Sequence, residues 1–136
     1  MAEQTTNYGL KCPLETDYYN IEDQNENMRK IDDAIASAVN VGVYVGDGAE
    51  ERVISLPRTP KFVLVLHNGY GLRSGENIAH VSGGLAIAGN PAHAADDYII
   101  IEEGGFRLRS LGQNGSSNYI RVNVNTTGSN YFYLWG

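Results

Sequence analysis

The sequence predicts a mainly β protein: an N-terminal extended arm and a single α-helix, followed by an antiparallel β-sandwich or barrel-like domain. Three observations predict it. The chain changes character near Val41, because residues 17–40 are rich in Asp, Asn, Glu and Ala without Gly or Pro, whereas Gly and β-formers alternate thereafter. Period-two alternation recurs in Val41/Val43/Val45, in Phe106/Leu108 against Arg107/Arg109, and in Ile120/Val122/Val124 against Arg121/Asn123, as half-buried strands require. Turn-forming Gly and Pro separate these runs at short intervals, which suits a sandwich or barrel rather than βαβ units. The expected division is 1–40, arm and helix for attachment and trimerisation, and 41–136, a β domain acting as the tip.

The arm comes first, punctuated by Tyr8-Gly9 and Pro13. The helix is expected over 20–39. Asn20 suits the N-cap, Asp23 three residues on completes a capping-box-like pair, and Glu22 and Asp23 place negative charge at the positive end of the dipole. Ile21, Met28 and Ile35 recur every seven residues with Gln24, Ile31 and Ala38 between them, giving heptad a and d positions with one polar interruption. A helix lying on its own domain usually carries a wider apolar face. The stripe fits either such a surface helix or a short parallel bundle, in which isoleucine at both a and d favours more than two strands. The bundle is the preferred expectation, with Ile21, Met28, Ile31, Ile35 and Ala38 as oligomerisation residues.

Nine strands are expected, at 41–45, 52–56, 62–67, 77–81, 85–88, 98–102, 106–110, 119–124 and 131–135. If consecutive strands run up and down, the connections 47–51, 68–76, 89–97 and 111–118 share the end far from the helix. The connections 57–61, 82–84, 103–105 and 125–130 share the near end. The far set holds the two longest loops and is rich in Asn, Tyr, His, Gly and Ser, the side chains of adaptable binding loops. Asn68, Tyr70, Arg73, His93, Asp96 and Asn114 are therefore the candidate ligand-binding residues. Backbone turn requirements explain the same composition at any single position.

Composition narrows the function. With 136 residues, 10 Lys+Arg, 16 Asp+Glu and a formal charge of −6, the chain lacks the basic stripe of a nucleic-acid binder. No apolar run approaches the ~18 residues of a membrane span, and the first residues lack the features of a secretory signal, so synthesis in the cytoplasm is expected. One cysteine, Cys12, makes no internal disulfide and is expected as a free surface thiol. The three histidines, His67, His80 and His93, show no metal-ligand spacing and are expected as exposed loop residues. Gly69-x-Gly71 and Gly104-Gly105 do not lead from a strand into a helix, so they are not phosphate loops. Asp96, Asp97, Glu102 and Glu103 could serve a glycosidase or calcium, but a solvated loop explains them equally. No enzyme signature emerges, and no metal or cofactor is expected. In the run Tyr131-Phe132-Tyr133-Leu134-Trp135, alternating aromatics packed in a sheet are expected over a sugar platform.

The first third of the chain resembles a segment of tail-fibre and related tail proteins of bacteriophages and prophages, especially those of Gram-positive hosts. The resemblance lies in Thr6-Asn7-Tyr8-Gly9-Leu10, Pro13, Asp17-Tyr18-Tyr19-Asn20-Ile21-Glu22-Asp23-Gln24-Asn25-Glu26-Asn27 and Ile31-Asp32. Cys12 stands where a basic residue is common. The stretch from Arg52 to Val65 is similar to a strand–turn–strand motif of short β domains at the ends of phage fibres, with Arg58-Thr59 where Gly-Phe is frequent. The resemblance implies a virion tail component, an elongated homotrimer whose N-terminal segment meets other tail or baseplate proteins and whose β domain faces the host. It carries over no catalytic residues and names no ligand. The leading expectation is a receptor-binding tip recognising a host-surface glycan. The alternatives are a structural tail adaptor without glycan binding and, third, a small polysaccharide depolymerase.

Overall fold

A computed structural model describes residues 3–74, 79–92, 97–110 and 120–136. The chain forms two compact units, Met1–Ala38 and Val39–Gly136.

In the first unit the arm is not simply extended. Strands β1 (Glu3–Gln4) and β2 (Lys11–Cys12) pair antiparallel, and Gly9 turns the chain with φ +60°, a value that favours glycine. Helix α1 (Ile21–Ser37) follows, with Asn20 as N-cap accepting from the Glu22 backbone N–H at 3.0 Å. The capping box does not close, because the Asp23 carboxylate goes instead to Lys11 Nζ at 2.7 Å. The helix stops two residues short of the expected end. Ser37 Oγ donates to the Asp33 carbonyl, and Ala38 is an extended C-cap, so Ala38 stands past the heptad seam rather than on it.

The hairpin holds the helix by a polar face. Asn27 grips the Lys11 backbone from both sides: Lys11 N donates to Asn27 Oδ1 and Asn27 Nδ2 donates to Lys11 O, each at 2.8 Å. Lys11 Nζ also pairs with Glu26 at 2.7 Å, and Lys30 Nζ donates to the Gly9 carbonyl at 2.8 Å. No helix residue is buried, and Met28 and Ile35 of the seam are 63% and 65% exposed. Hydrogen bonding consumes one face and leaves the apolar one uncovered.

The second unit packs two antiparallel sheets face to face, as the mainly β class predicts. One has the order β3-β12-β5-β8, built from β3 (Asn40–Val45), β12 (Asn130–Trp135), β5 (Phe62–His67) and β8 (Gly84–Ile87). The other has the order β4-β10-β9, from β4 (Glu51–Ser55), β10 (Gly105–Arg109) and β9 (Ile99–Glu102). A smaller sheet joins β6 (Arg73–Ser74), β7 (Ala79–Val81) and β11 (Ile120–Val122), and its β7–β11 pair is parallel. The inner faces meet in a core of Tyr44, Val63, Val65, Ala86, Tyr131 and Trp135 against Ile99, Phe106 and Leu108. The C-terminal aromatics divide as alternation demands: Tyr131 and Trp135 are buried, while Phe132 points outward.

Up-and-down connectivity does not hold. β12 lies antiparallel between β3 and β5, and β8 folds straight back along β5. Ala88 N donates to the Lys61 carbonyl at 2.9 Å, so the chain leaves β8 beside the start of β5, at the end opposite Asn68. Conversely, Gly46 N donates to Ser129 O and Gly48 N to Asn125 O, which places residues 125–129 with the 46–48 turn at the end expected to lack them. Parity failed because β12 and β8 run antiparallel to β3 and β5, whereas it assigned all four strands the same direction.

The outward faces of the two sheets differ in chemistry. On the β4-β10-β9 sheet, Arg107 bonds Glu102 at 2.6 Å and Glu51 at 3.2 Å, and Arg109 lies 3.7 Å from Glu51. On the β3-β12-β5-β8 sheet the register sets Val41, Leu134, Leu64 and Leu85 in one row and Val43, Phe132 and Leu66 in the next.

Candidate functional site

One end of the β unit carries a cleft of about 390 Å³, lined by His67, Tyr70, His80, Ser82, Asn123, Thr126 and Ser129. Its position follows from strand register. His67 continues the inward series Val63, Val65, His67 at the end of β5, so its ring meets the core instead of solvent. It stands edge-on to Tyr131, with centroids 4.9 Å apart, and Tyr70 leans on it at 4.8 Å. Tyr131 in turn stacks on Tyr44 at 4.9 Å with planes 7° apart. A file of four rings thus runs from the core to the rim, where Tyr70 is 66% exposed.

The other wall is held by tyrosine hydroxyls. Tyr131 Oη donates to the Asn123 carbonyl at 2.9 Å and accepts from Thr126 N at 3.1 Å; Tyr44 Oη donates to the Val124 carbonyl. Burial pushes the Tyr44 hydroxyl's pKa well above its ordinary value, so it remains a donor. Asn125, fully buried, fastens the turn behind this wall. Its Nδ2 donates to Asp47 Oδ1 and the Ala49 carbonyl, and its Oδ1 accepts from Asp47 N and Arg52 Nη1. The Ala49 N–H, then the Asn125 amide, hold the Asp47 carboxyl below the usual carboxylate range. Asn123 Nδ2 lies 3.3 Å from His80 Nδ1 across the cleft lining. His67 Nδ1 is buried without a hydrogen-bond partner among the described residues.

Of the expected binding residues, Tyr70 lines the cleft. Asn68 is exposed at the same end, its N–H donating to the Asn130 carbonyl, and Arg73 is exposed in β6; neither lines the cleft. His93, Asp96 and Asn114 lie outside the described residues. The segment carrying His93 and Asp96 starts from the other end of β5, so the proposed grouping of all six rests on the parity that fails. His67 and His80 are half-buried strand residues, not exposed loop residues. The alternation through Val63 and Val65 carries that signal for His67. Nothing in the sequence singles out Ser82, Asn123, Thr126 or Ser129, which the crossovers bring together.

Among the described residues no Asp, Glu, Lys or Arg lines the cleft, and its chemistry there is that of hydroxyl, amide and imidazole groups beside an exposed aromatic ring. Of the acidic residues considered for catalysis, Glu102 is engaged by Arg107 on the outer sheet face. Among the described residues no three His, Cys, Asp or Glu converge as a metal site, and no helix is long and apolar enough to cross a membrane. Cys12 is an exposed free thiol. Comparison with protein-family models, with curated proteins and with solved structures gives no match to this chain.

Proposed function

We propose that this chain is a non-enzymatic recognition module of a phage or prophage tail, a homotrimer whose β unit binds a neutral glycan on the host surface. One observation supports the reading: a cleft whose described lining is hydroxyl, amide, imidazole and aromatic groups without Asp, Glu, Lys or Arg, with the Tyr70 ring presented at its rim. A sugar ring offers apolar C–H faces to stack on an aromatic and a hydroxyl periphery for Asn, Ser, Thr and His, a pairing of contacts that this lining can satisfy. Trimerisation through the exposed Ile21–Met28–Ile31–Ile35 seam would present three such clefts and raise weak single-site affinity by simultaneous engagement. The N-terminal segment would serve attachment to other tail or baseplate proteins.

A host-glycan array followed by titration of the best hit tests this. Reproducible binding to an uncharged glycan, weakened at least about tenfold by Tyr70→Ala, is the expected result; an exposed stacking ring is worth ~1.4 kcal/mol or more on that scale. An array without a reproducible hit would favour the structural adaptor. Shortening of a polysaccharide by the purified protein would refute the non-enzymatic reading.

A further inference from the structure

We propose that Asn68 is a site of spontaneous covalent modification, losing its side-chain amide to become aspartate and isoaspartate at the end of the β unit that carries the cleft. The site does not depend on the glycan reading, and its one co-reactant is water. Asn68 is followed by Gly69 in the connection that leaves β5, and both residues are exposed. Gly69 has φ +115°, a value that favours glycine, and a Cβ built on it would meet nothing within 4 Å. Asn68 is held through its backbone, its N–H donating to the Asn130 carbonyl at 2.9 Å. Among the described residues nothing hydrogen-bonds the Asn68 side chain or the Gly69 N–H.

These are the requirements of ring closure. The Gly69 nitrogen gives its proton to solvent base and attacks Asn68 Cγ, forming a C–N bond. The Cγ–Nδ2 bond breaks, and Nδ2 takes a proton from water and leaves as ammonia. The product is a five-membered succinimide, made of Asn68 Cα, Cβ, Cγ and carbonyl carbon with the Gly69 nitrogen. Water then adds to one of its two carbonyls. Opening at Cγ leaves aspartate; opening at the main-chain carbonyl leaves isoaspartate, whose backbone runs through one extra methylene. No electrons are gained or lost overall. A side chain on the following residue would crowd the approach of Cγ, and a hydrogen bond on its N–H would oppose loss of the proton. Gly69 carries neither among the described residues.

The fold supplies its own control. Asp47-Gly48 has the same spacing and can close the same ring, yet there both reacting groups are held. Gly48 N donates to the Asn125 carbonyl at 2.9 Å, and Asp47 Oδ1 accepts from Ala49 N at 3.0 Å and from Asn125 Nδ2. The amides of Asn27 and Asn125 are bonded through both oxygen and nitrogen. Asn90 precedes Pro91, which has no N–H to lose. Conversion at Asn68 would set a carboxylate two residues from Tyr70, beside a cleft whose described lining has no Asp or Glu. The isoaspartyl form would also lengthen the main chain between His67 and Tyr70, whose ring centroids stand 4.8 Å apart.

Tryptic mapping by mass spectrometry tests the proposal, on the full chain held at pH 8 both folded and unfolded in guanidinium chloride. Peptide 62–73 contains Asn68 and no other asparagine, and peptide 110–121 contains Asn114-Gly115, which lies outside the described residues, so the two are read separately. In the folded chain peptide 62–73 should gain about 1 Da and resolve into aspartyl and isoaspartyl forms. It should convert within about threefold of its unfolded rate, as a site with almost no local structure to open does. Isomerisation at Asp47-Gly48 should instead be slowed at least about tenfold by folding. Conversion at Asn68 should be faster at pH 8 than at pH 6, because base removes the Gly69 proton. Asn68→Gln, which would have to close a six-membered ring, should leave the peptide unmodified over the same interval. A folded chain whose peptide 62–73 stays intact while the unfolded chain converts would overturn the proposal. So would an aspartyl product without isoaspartate, the signature of direct hydrolysis, or a rate that does not rise with pH.

Discussion

Replacing Asn125 should loosen the cleft wall at a cost that can be worked out from its surroundings. The side chain is 1% exposed and makes four hydrogen bonds, at 2.5 Å to Asp47 Oδ1, 3.0 Å to Ala49 O, 3.2 Å from Asp47 N and 3.3 Å from Arg52 Nη1. Asp47 and Ala49 are exposed, so water replaces part of what Asn125→Ala removes. At a net ~1 kcal/mol per bond, partly recovered by hydration and increased by the cavity left, the loss should be about 3 kcal/mol. Urea unfolding followed by the single tryptophan reads this. Trp135 is buried beneath the Arg58 guanidinium, 5.0 Å from its ring, and the variants are compared at one protein concentration so that any association contributes equally. Asn125→Asp sharpens the test. In the wild type the Asp47 carboxyl is held below its usual range, so its stabilising contribution is complete at neutral pH and is lost only as pH falls through that lowered value. The substituted carboxylate would instead face Asp47, raising the folded-state value for the first proton of the pair. That variant should be destabilised at neutral pH and recover as pH falls through the raised value, the reverse of the trend the lowered Asp47 carboxyl gives the wild type. Asn125→Ala within about 0.5 kcal/mol of wild type, or Asn125→Asp lacking the reversed trend, would refute the reasoning.

Three further outcomes are expected. Asn27→Ala should release the N-terminal hairpin from α1 at a cost of about 2 kcal/mol for two lost bonds, read as faster amide exchange at Lys11 with the β unit unaffected. The Glu26 carboxyl is held below its usual range by Lys11 and then Lys30, so hairpin protection should persist through mildly acidic pH. It should fall only below the ordinary carboxylate range, which exchange measured from pH 6 to pH 2 would follow. Gly46→Ala should destabilise by about 1–3 kcal/mol, because a Cβ there would strike the Thr126 carbonyl, and thermal melting reads the loss.

Local structure was legible where one rule decided it. Strand β5 lies where it is expected, and Asn20 caps α1 because no competing group claims the Glu22 N–H, although the alternation Val63, Val65, His67 runs against the exposed loop position expected for His67. Asp23 shows the limit: its capping role is sound by sequence, yet Lys11, twelve residues away, offers a charged partner. The strands themselves lie close to their expected positions. Their neighbours do not follow from the sequence, since nothing in residues 130–135 states that they will enter between β3 and β5. The cleft depends on that insertion. Asn123, Thr126 and Ser129 look like ordinary turn residues until Tyr131, anchored in the middle of the sheet, ties their backbone back with its hydroxyl.

The central place of β12 also orders events in time. It is made after β3, β5 and β8, and until it arrives β3 has no partner in its sheet and the rows through Val43 and Leu66 are split by a gap one strand wide. A nascent unit therefore shows separate greasy ribbons but not the broad platform they compose. Closure depends on contacts distant along the chain, which makes it a slow step. Whatever meets that platform therefore finds it only on a unit that has finished folding.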